Sequence, residues 1–130
     1  MKNNQLMIYG AYGYAGELMV REAVAQGLRP IIAGRDDEKL KPIATELSLE
    51  CRAFGVRNTG SNLQDISVLL NCAGPFSATA EPLARACLAQ QIHYLDITGE
   101  IDIFRKCHAL DEEARQQNVL ILPGAGTDIV

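Results

Sequence analysis

Between Leu6 and Gly16 the chain reads L-M-I-Y-G-A-Y-G-Y-A-G, a short apolar run that breaks into evenly spaced glycines. Leu6, Met7, Ile8 and Tyr9 are too few for a helix and suit a strand buried on both faces, whereas the residues from Ala15 onward take helical spacing. The glycines therefore fall on a strand-to-helix turn. Gly10 permits a tight turn, Gly13 lets a backbone approach a diphosphate with no Cβ in the way, and Gly16 lets the helix pack close to the strand. The helix opens with unpaired N–H groups and the positive end of its dipole, a setting for an anion. Tyr12, Tyr14 and Ala15 share this turn and are candidate cofactor contacts with the glycines. The spacing G-x-x-G-x-x-G is not the commonest fingerprint, and a turn without a ligand accounts for glycines too; the strand before and the helix after point to a dinucleotide.

The rest of the chain continues that unit. Ala15, Met19 and Ala23 share a helical face, and Gly27 stands where a C-terminal cap belongs. Pro30 to Ala33 reads as a second strand that exits through Gly34 and Arg35. Asp36 or Asp37 can cap a second helix in which Leu40, Ile43, Ala44 and Leu47 are regularly spaced, with Pro42 near its first turn or kinking it. Glu50 to Val56 is a weaker strand, Arg57 to Asp65 a loop, and Ser67 to Ala73 a buried strand that ends at Gly74-Pro75. A third helix carries Pro82 in its first turn and buries Leu83, Ala86 and Cys87. His93 to Asp96 is a short strand, Thr98 to Glu100 a turn, and Ile103, Cys107, Leu110 and Ala114 the apolar face of one fourth helix, on which Asp111 and Arg115 pair. Val119 to Leu122 closes the series before Pro123-Gly124. Strands alternating with helices at these lengths predict an α/β fold: one domain over residues 1–130, a doubly wound parallel sheet of six strands, the Rossmann fold.

Charge and composition narrow the partners. A net charge of −4 with no basic stripe argues against nucleic acid. Hydrophobic content of 48% with 22% charged residues suits a soluble α/β protein, and no apolar run approaches the ~18 residues of a membrane span. The polar Met1 to Gln5 runs straight into the first strand, leaving no room for a secretory or transit segment, so cytoplasmic residence is the expectation. Cys51, Cys72, Cys87 and Cys107 have neither C-x-x-C nor metal-ligand spacing and read as small buried hydrophobes, and no metal site is expected.

In an open parallel sheet the ligand lies beyond the carboxyl ends of the strands. That rule selects Gly10 to Gly16, Gly34-Arg35, Asn71 to Phe76, Asp96 to Glu100 and Pro123 to Asp128. Arg35 stands where an NAD-preferring protein usually has an acid for the ribose 2'-hydroxyl, and its guanidinium can grip a 2'-phosphate, which favours NADP. A solvated Arg35 is the alternative, and neighbouring Asp36 keeps NAD open. Asn71, Ala73, Gly74 and Pro75 sit where the backbone passes the nicotinamide half, with Asn71 either touching cofactor or tying down the loop. Tyr94 to Glu100 brings two carboxylates and a hydroxyl to a strand end, for catalysis or, preferably, for capping and loop structure. His93 and His108 are poorly placed for proton transfer. P-loop, H-E-x-x-H and G-x-S-x-G motifs are missing. Tyr9, Tyr12, Tyr14 and Tyr94 are followed four residues on by Gly13, Gly16, Leu18 and Thr98, so the Tyr and Lys of short-chain dehydrogenases are absent and no catalytic residue is assigned.

Taken together, G-A-Y-G-Y-A-G, A-G-R, N-C-A-G-P-F, E-P-L-A-R-A-C, H-Y-L-D-I-T-G-E and L-P-G-A-G-T-D resemble the N-terminal NADP-binding domain of the saccharopine dehydrogenase-like family, with its trans-acting enoyl reductase branch nearest. The resemblance covers nearly the whole chain and implies a pyridine-nucleotide oxidoreductase, with Gly10, Gly13, Gly16 and Arg35 matching the cofactor motif. Relatives continue into a second α/β domain that binds substrate and often dimerises, whereas this sequence stops at Ile129-Val130. The expectation is a domain cut from a longer protein, inactive alone and prone to homo-oligomerise through the surface that domain would cover. The substrate, an amino-acid conjugate or an unsaturated acyl or lipid chain among relatives, stays open. The competing reading is a non-catalytic dinucleotide-binding module that senses or scaffolds.

Overall fold

The computed structural model describes residues 5–97 and 101–124, without the side chains of residues 101–104. The turn expected at Thr98 to Glu100, the side chain of Ile103 and the segment beyond Gly124 lie outside the described residues. In chain order the elements are β1 (Leu6–Tyr9), α1 (Tyr14–Ala25), β2 (Ile31–Gly34), α2 (Asp37–Leu47), β3 (Cys51–Ala53), a 3-10 turn (Gly60–Leu63), β4 (Val68–Asn71), α3 (Phe76–Ala89), β5 (His93–Asp96), α4 (Ile101–His108), α5 (Asp111–Gln116) and β6 (Ile121–Leu122). The strands form one sheet in the order β3-β2-β1-β4-β5-β6, with every neighbouring pair parallel. This is the expected doubly wound sheet. Strand order reverses between β1 and β4, and such a switch point opens a crevice at the carboxyl edge.

The period of a strand explains the two cores. Successive side chains of β1 point to opposite faces, so Met7 and Tyr9 pack with Leu69, Leu83 and Tyr94. Ile8, between them, packs with Val20, Ile32 and Leu40. Helices α1 and α2 thus cover one face, and α3 with Cys107 of α4 the other. The side chains of β1 from Met7 to Tyr9 are all buried, which is why an unbroken apolar run marks the centre of the sheet.

Helix α1 ends as Gly27 foretold. Gly27 takes a φ of +89°, Leu28 N–H donates to the Ala23 carbonyl at 2.9 Å and Gly27 N–H to the Val24 carbonyl at 3.0 Å. Helix α2 starts behind Asp36, whose Oδ1 accepts from Glu38 N–H at 3.0 Å and Lys39 N–H at 3.4 Å.

Three expectations need correction. Pro42 lies in the second turn of α2, and Pro82 lies well inside α3, which starts directly after Pro75. Burial explains the early start of α3. Ala80 is fully buried and Phe76 packs on the same core, so the first turns gain apolar contacts that offset the donor Pro82 lacks. The single fourth helix is two, α4 and α5, with Leu110 at the N-cap position of the second. Its apolar stripe is nonetheless as read: Cys107, Leu110 and Ala114 are buried, and Arg115 meets Asp111 at 2.8 Å.

Candidate functional site

The glycine turn is held by β2: Gly10 and Ala11 N–H both donate to the Ala33 carbonyl, at 2.8 and 3.2 Å. The glycines then separate by what a side chain at each would meet. A Cβ on Gly10, where φ is +83°, would lie 2.7 Å from the Ala73 nitrogen, and one on Gly16 would lie 2.0 Å from the Gly10 carbonyl oxygen. Both are demanded by packing of the chain against itself. Gly13 is different. A Cβ there meets nothing nearer than the Gly10 carbonyl oxygen at 3.5 Å, an ordinary contact, and its φ of −74° suits any residue. The fold therefore has no need of glycine at 13. Gly13 is also the N-cap of α1 and brings no side chain to its first N–H groups, whereas α2 has Asp36 for that purpose. An uncapped helix start with an open approach is a place for an external anion.

The space above it is a cleft of about 280 Å³ at the switch point. Gly10, Tyr12 and Gly13 form one wall, Ala73, Gly74 and Pro75 the wall opposite, and Gly34 with Arg35 the end beyond β2. Tyr12 is the corner post. Its ring lies so close over Gly34 that a Cβ there would come within 2.6 Å of the Tyr12 Cε2, and its hydroxyl accepts from Asp36 N–H at 3.2 Å. Lys39 Nζ sits 5.6 Å from the centre of the same ring. Tyr12 and Arg35 also line a second, more open cavity of about 590 Å³ at the start of α2, with Lys39 and three acids, Asp36, Asp37 and Glu38. One elongated ligand can thus pass from Gly13 along Tyr12 to Arg35.

Other sequence candidates fall elsewhere. Tyr14, 87% exposed at the first position of α1, and half-buried Ala15 line no part of the cleft, so only their backbone at the helix start is in reach. Buried Gly16 serves helix packing. Asn71 is fully buried behind the wall rather than in it. Its Oδ1 accepts from Ala73 N–H at 2.9 Å, and its Nδ2 donates to Thr79 Oγ1 at 3.1 Å and Tyr94 Oη at 3.2 Å. Of the two roles open to Asn71, tying down the loop is the one its bonds perform. Tyr94 and Asp96 likewise turn inward, the Tyr94 hydroxyl donating to Asp96 Oδ2 at 2.6 Å. His93 Nδ1 accepts from Leu120 N–H at 2.9 Å, at the start of β5, and His108 is exposed at the end of α4.

Four cleft residues lie outside the stretches the sequence reading selected, Tyr9, Val56, Ala78 and Thr79, and Cys72, inside one of those stretches, was read only as a small buried hydrophobe. The carboxyl-end rule applied to β3 as well would have reached Val56, just past Phe54, whose carbonyl accepts from the Tyr9 hydroxyl at 2.8 Å. Burial pushes the Tyr9 phenol up to about 12. Cys72 also rises to about 12, through burial first and then the negative charge of Asp96. Among the described residues no group of three or more His, Cys, Asp or Glu side chains could hold a metal ion, and no helix is long and apolar enough to cross a membrane.

This geometry agrees with sequence comparison, in which the model of the saccharopine dehydrogenase NADP binding domain matches residues 6–122. The chain belongs to that family. It is 26% identical over 149 residues to the saccharopine dehydrogenase-like oxidoreductase of Rattus norvegicus, covering 97% of this chain and 35% of that protein. With the lipid droplet localized protein of Caenorhabditis elegans it shares 22% over 147 residues, 100% of this chain and 34% of that one. The chain thus spans about a third of the length of these curated relatives. Apo saccharopine dehydrogenase (L-Glu forming) from Saccharomyces cerevisiae has the same fold, with a TM-score of 0.79 over 97% of this chain and 28% of that chain at 12% identity. As a member of this family the chain is a nicotinamide-dinucleotide-binding domain.

The expectation of cytoplasmic residence is overturned by these relatives. One is named for lipid droplets, and an Arabidopsis thaliana relative, 26% identical over 145 residues and covering 96% of this chain and 32% of that protein, carries a mitochondrial designation in its name. A nucleotide-binding core does not set an address, so polarity at Met1 to Gln5 was no guide to one.

Proposed function

We propose that the chain is the NADP-binding portion of an oxidoreductase that moves hydride between the nicotinamide and a substrate held by further polypeptide. The observation that carries this reading is Gly13: a glycine the fold does not need, at an uncapped helix start, facing a cleft that runs to Arg35. A diphosphate on the α1 N-terminus uses that opening, since donors there meet its charge and no Cβ blocks its approach. The preference for NADP over NAD rests on the end of β2. Arg35 is exposed there, while the neighbouring carboxylate that could accept from a ribose 2'-hydroxyl, Asp36, turns Oδ1 to the N–H groups of α2. A guanidinium suits a phosphate and has nothing to offer a bare hydroxyl that an acid would not do better.

The bound nicotinamide supplies or accepts the hydride; the residues of this chain bind and orient it. A charge-assisted bond to phosphate is worth ~1.5–3 kcal/mol, roughly tenfold to a hundredfold in affinity. NADPH should therefore bind more tightly than NADH, and Arg35→Asp should weaken NADPH by about that factor while leaving NADH unchanged or improved. Titration at matched ionic strength tests this. Equal NADPH affinity in the wild type and Arg35→Asp removes Arg35 from the 2'-phosphate site and the NADP preference with it.

One observation favours the second reading, a module that holds dinucleotide without chemistry. The phenol of Tyr9 and the thiol of Cys72, both lining the cleft, are each pushed up to about 12 and keep their protons at neutral pH. Neither is a proton donor matched to neutral pH. On the oxidoreductase reading, neither Tyr9 nor Cys72 supplies the proton that accompanies the hydride.

A further inference from the structure

Three strand ends meet at one buried polar node. Asn71 and Asp96 are register partners at the carboxyl ends of β4 and β5, and Tyr94, two residues before Asp96, lies on the same face. The Tyr94 hydroxyl donates to Asp96 Oδ2 and accepts from Asn71 Nδ2, while Asp96 Oδ1 accepts from Gly124 N–H at 2.8 Å, past the end of β6. From Asn71 the network reaches the cleft. Asn71 Oδ1 holds the N–H of Ala73, and Thr79 Oγ1 donates to the carbonyl of the same residue at 2.7 Å. Both backbone polar groups of Ala73 are thus fixed by side chains. Ala73 is cleft wall, and it is also the residue against which Gly10 is packed so closely that a Cβ there would overlap it.

A node of this kind is costly unless complete, because an unpaired polar group in a low-dielectric interior loses more than an apolar replacement would. It is complete: every buried side-chain nitrogen and oxygen among the described residues has a partner. Burial and then the nearby Asp96 push the Tyr94 phenol far above its ordinary range, so its proton stays in the bond to Asp96 at every working pH. A fixed network that ends on the backbone of a cleft wall serves position, not proton transfer.

We propose that Tyr94, acting through Asn71 and Thr79, is a positioning residue that sets the Ala73–Pro75 wall for the nicotinamide half of the bound dinucleotide. The assignment of the half rests on the dinucleotide reading above: Arg35 after β2 marks the adenosine side, and the wall after β4 lies across the switch point from it. A displaced wall then weakens the nicotinamide half and leaves the adenosine half as it was.

The test compares NADPH with 2'-phospho-ADP-ribose, which lacks the nicotinamide, by calorimetric titration of the 130-residue chain. Tyr94→Phe keeps the ring and removes the hydroxyl; Thr79→Val keeps the shape and frees the Ala73 carbonyl, and Thr79→Ser restores the hydroxyl. Tyr94→Phe and Thr79→Val should each weaken NADPH by about tenfold, with 2'-phospho-ADP-ribose unchanged and Thr79→Ser close to wild type. Equal NADPH affinity in wild type and both variants overturns the proposal, and so does an equal loss for the two ligands, which would mark general loosening. If Tyr94→Phe fails to fold, the Thr79→Val and Thr79→Ser pair decides alone. A wild-type chain that binds neither ligand overturns the dinucleotide reading, a different result from a chain that binds both and ignores these substitutions.

Discussion

Within seven residues the same amino acid does separate work, and that division can be measured. Gly10 and Gly16 are required by the chain's own backbone, at 2.7 and 2.0 Å from a notional Cβ, while Gly13 at 3.5 Å is not. Gly10→Ala and Gly16→Ala should therefore lower stability by at least ~1–3 kcal/mol, the usual cost of forcing atoms into a packed site. Gly13→Ala should lower the urea midpoint much less than either, by no more than the N-cap preference for glycine over alanine, and weaken NADPH and NADH alike, and Gly13→Val more so. A large loss of stability at Gly13, or binding indifferent to it, would assign that glycine to the turn alone. The buried thiols and phenol give a prediction in pH. Cys72 and Tyr9 each rise to about 12 and Cys107 to about 11, burial leading in all three. Because the folded state holds these protons while the unfolded chain releases them near the ordinary 9 to 10, the native state binds more protons there. Their contribution is whole below about pH 9 and is lost as pH climbs toward 12. Urea midpoints should fall from about pH 8 to about pH 10, and a midpoint that holds or rises would contradict the burial of these groups.

Elements were legible in the sequence where burial and backbone chemistry agree. β1 reads directly because a central parallel strand is apolar throughout, and the end of α1 reads directly because Gly27 supplies the positive φ its cap requires. The helix containing Pro82 was misplaced because proline was weighed as a local boundary, while the burial of Phe76 and Ala80 is a tertiary effect. The split between α4 and α5 did leave a signal. Arg105, Lys106 and His108 crowd the last turn of one helix, and Asp111, Glu112 and Glu113 the first turn of the next, as the dipoles of two helices and not one require. The apolar stripe through Cys107, Leu110 and Ala114 masked it. In the site, the glycines and the Gly34-Arg35 exit were readable because each is tied to one strand end. The node of Asn71, Thr79, Tyr94 and Asp96 was not, since nothing in spacing shows that residues from β4, α3 and β5 share hydrogen bonds.

At the scale of the molecule, the parallel sheet gathers its candidate binding groups along one edge. Among the described residues the cleft has two walls, the glycine turn and the loop after β4, and a third boundary near Arg35. Binding and chemistry ask different things of such a shape. A dinucleotide can be held by helix N–H groups, backbone and one guanidinium, all of which this chain offers. Hydride transfer also needs a second reactant held in line and at contact distance, with water kept out, and orientation of that kind can supply roughly 7–11 kcal/mol of the barrier. Among the described cleft-lining groups, Tyr9 and Cys72 both rise to about 12 and are not proton donors matched to neutral pH. This chain covers about a third of the curated relatives it matches, so the wall that would orient a substrate is proposed to belong to further polypeptide. The 130-residue chain should then quench or shift NADPH fluorescence on binding, yet show no saturable NADPH oxidation with carbonyl, imine or enoyl acceptors. Saturable turnover by the purified chain with any one acceptor class would show that this edge is already a complete active site.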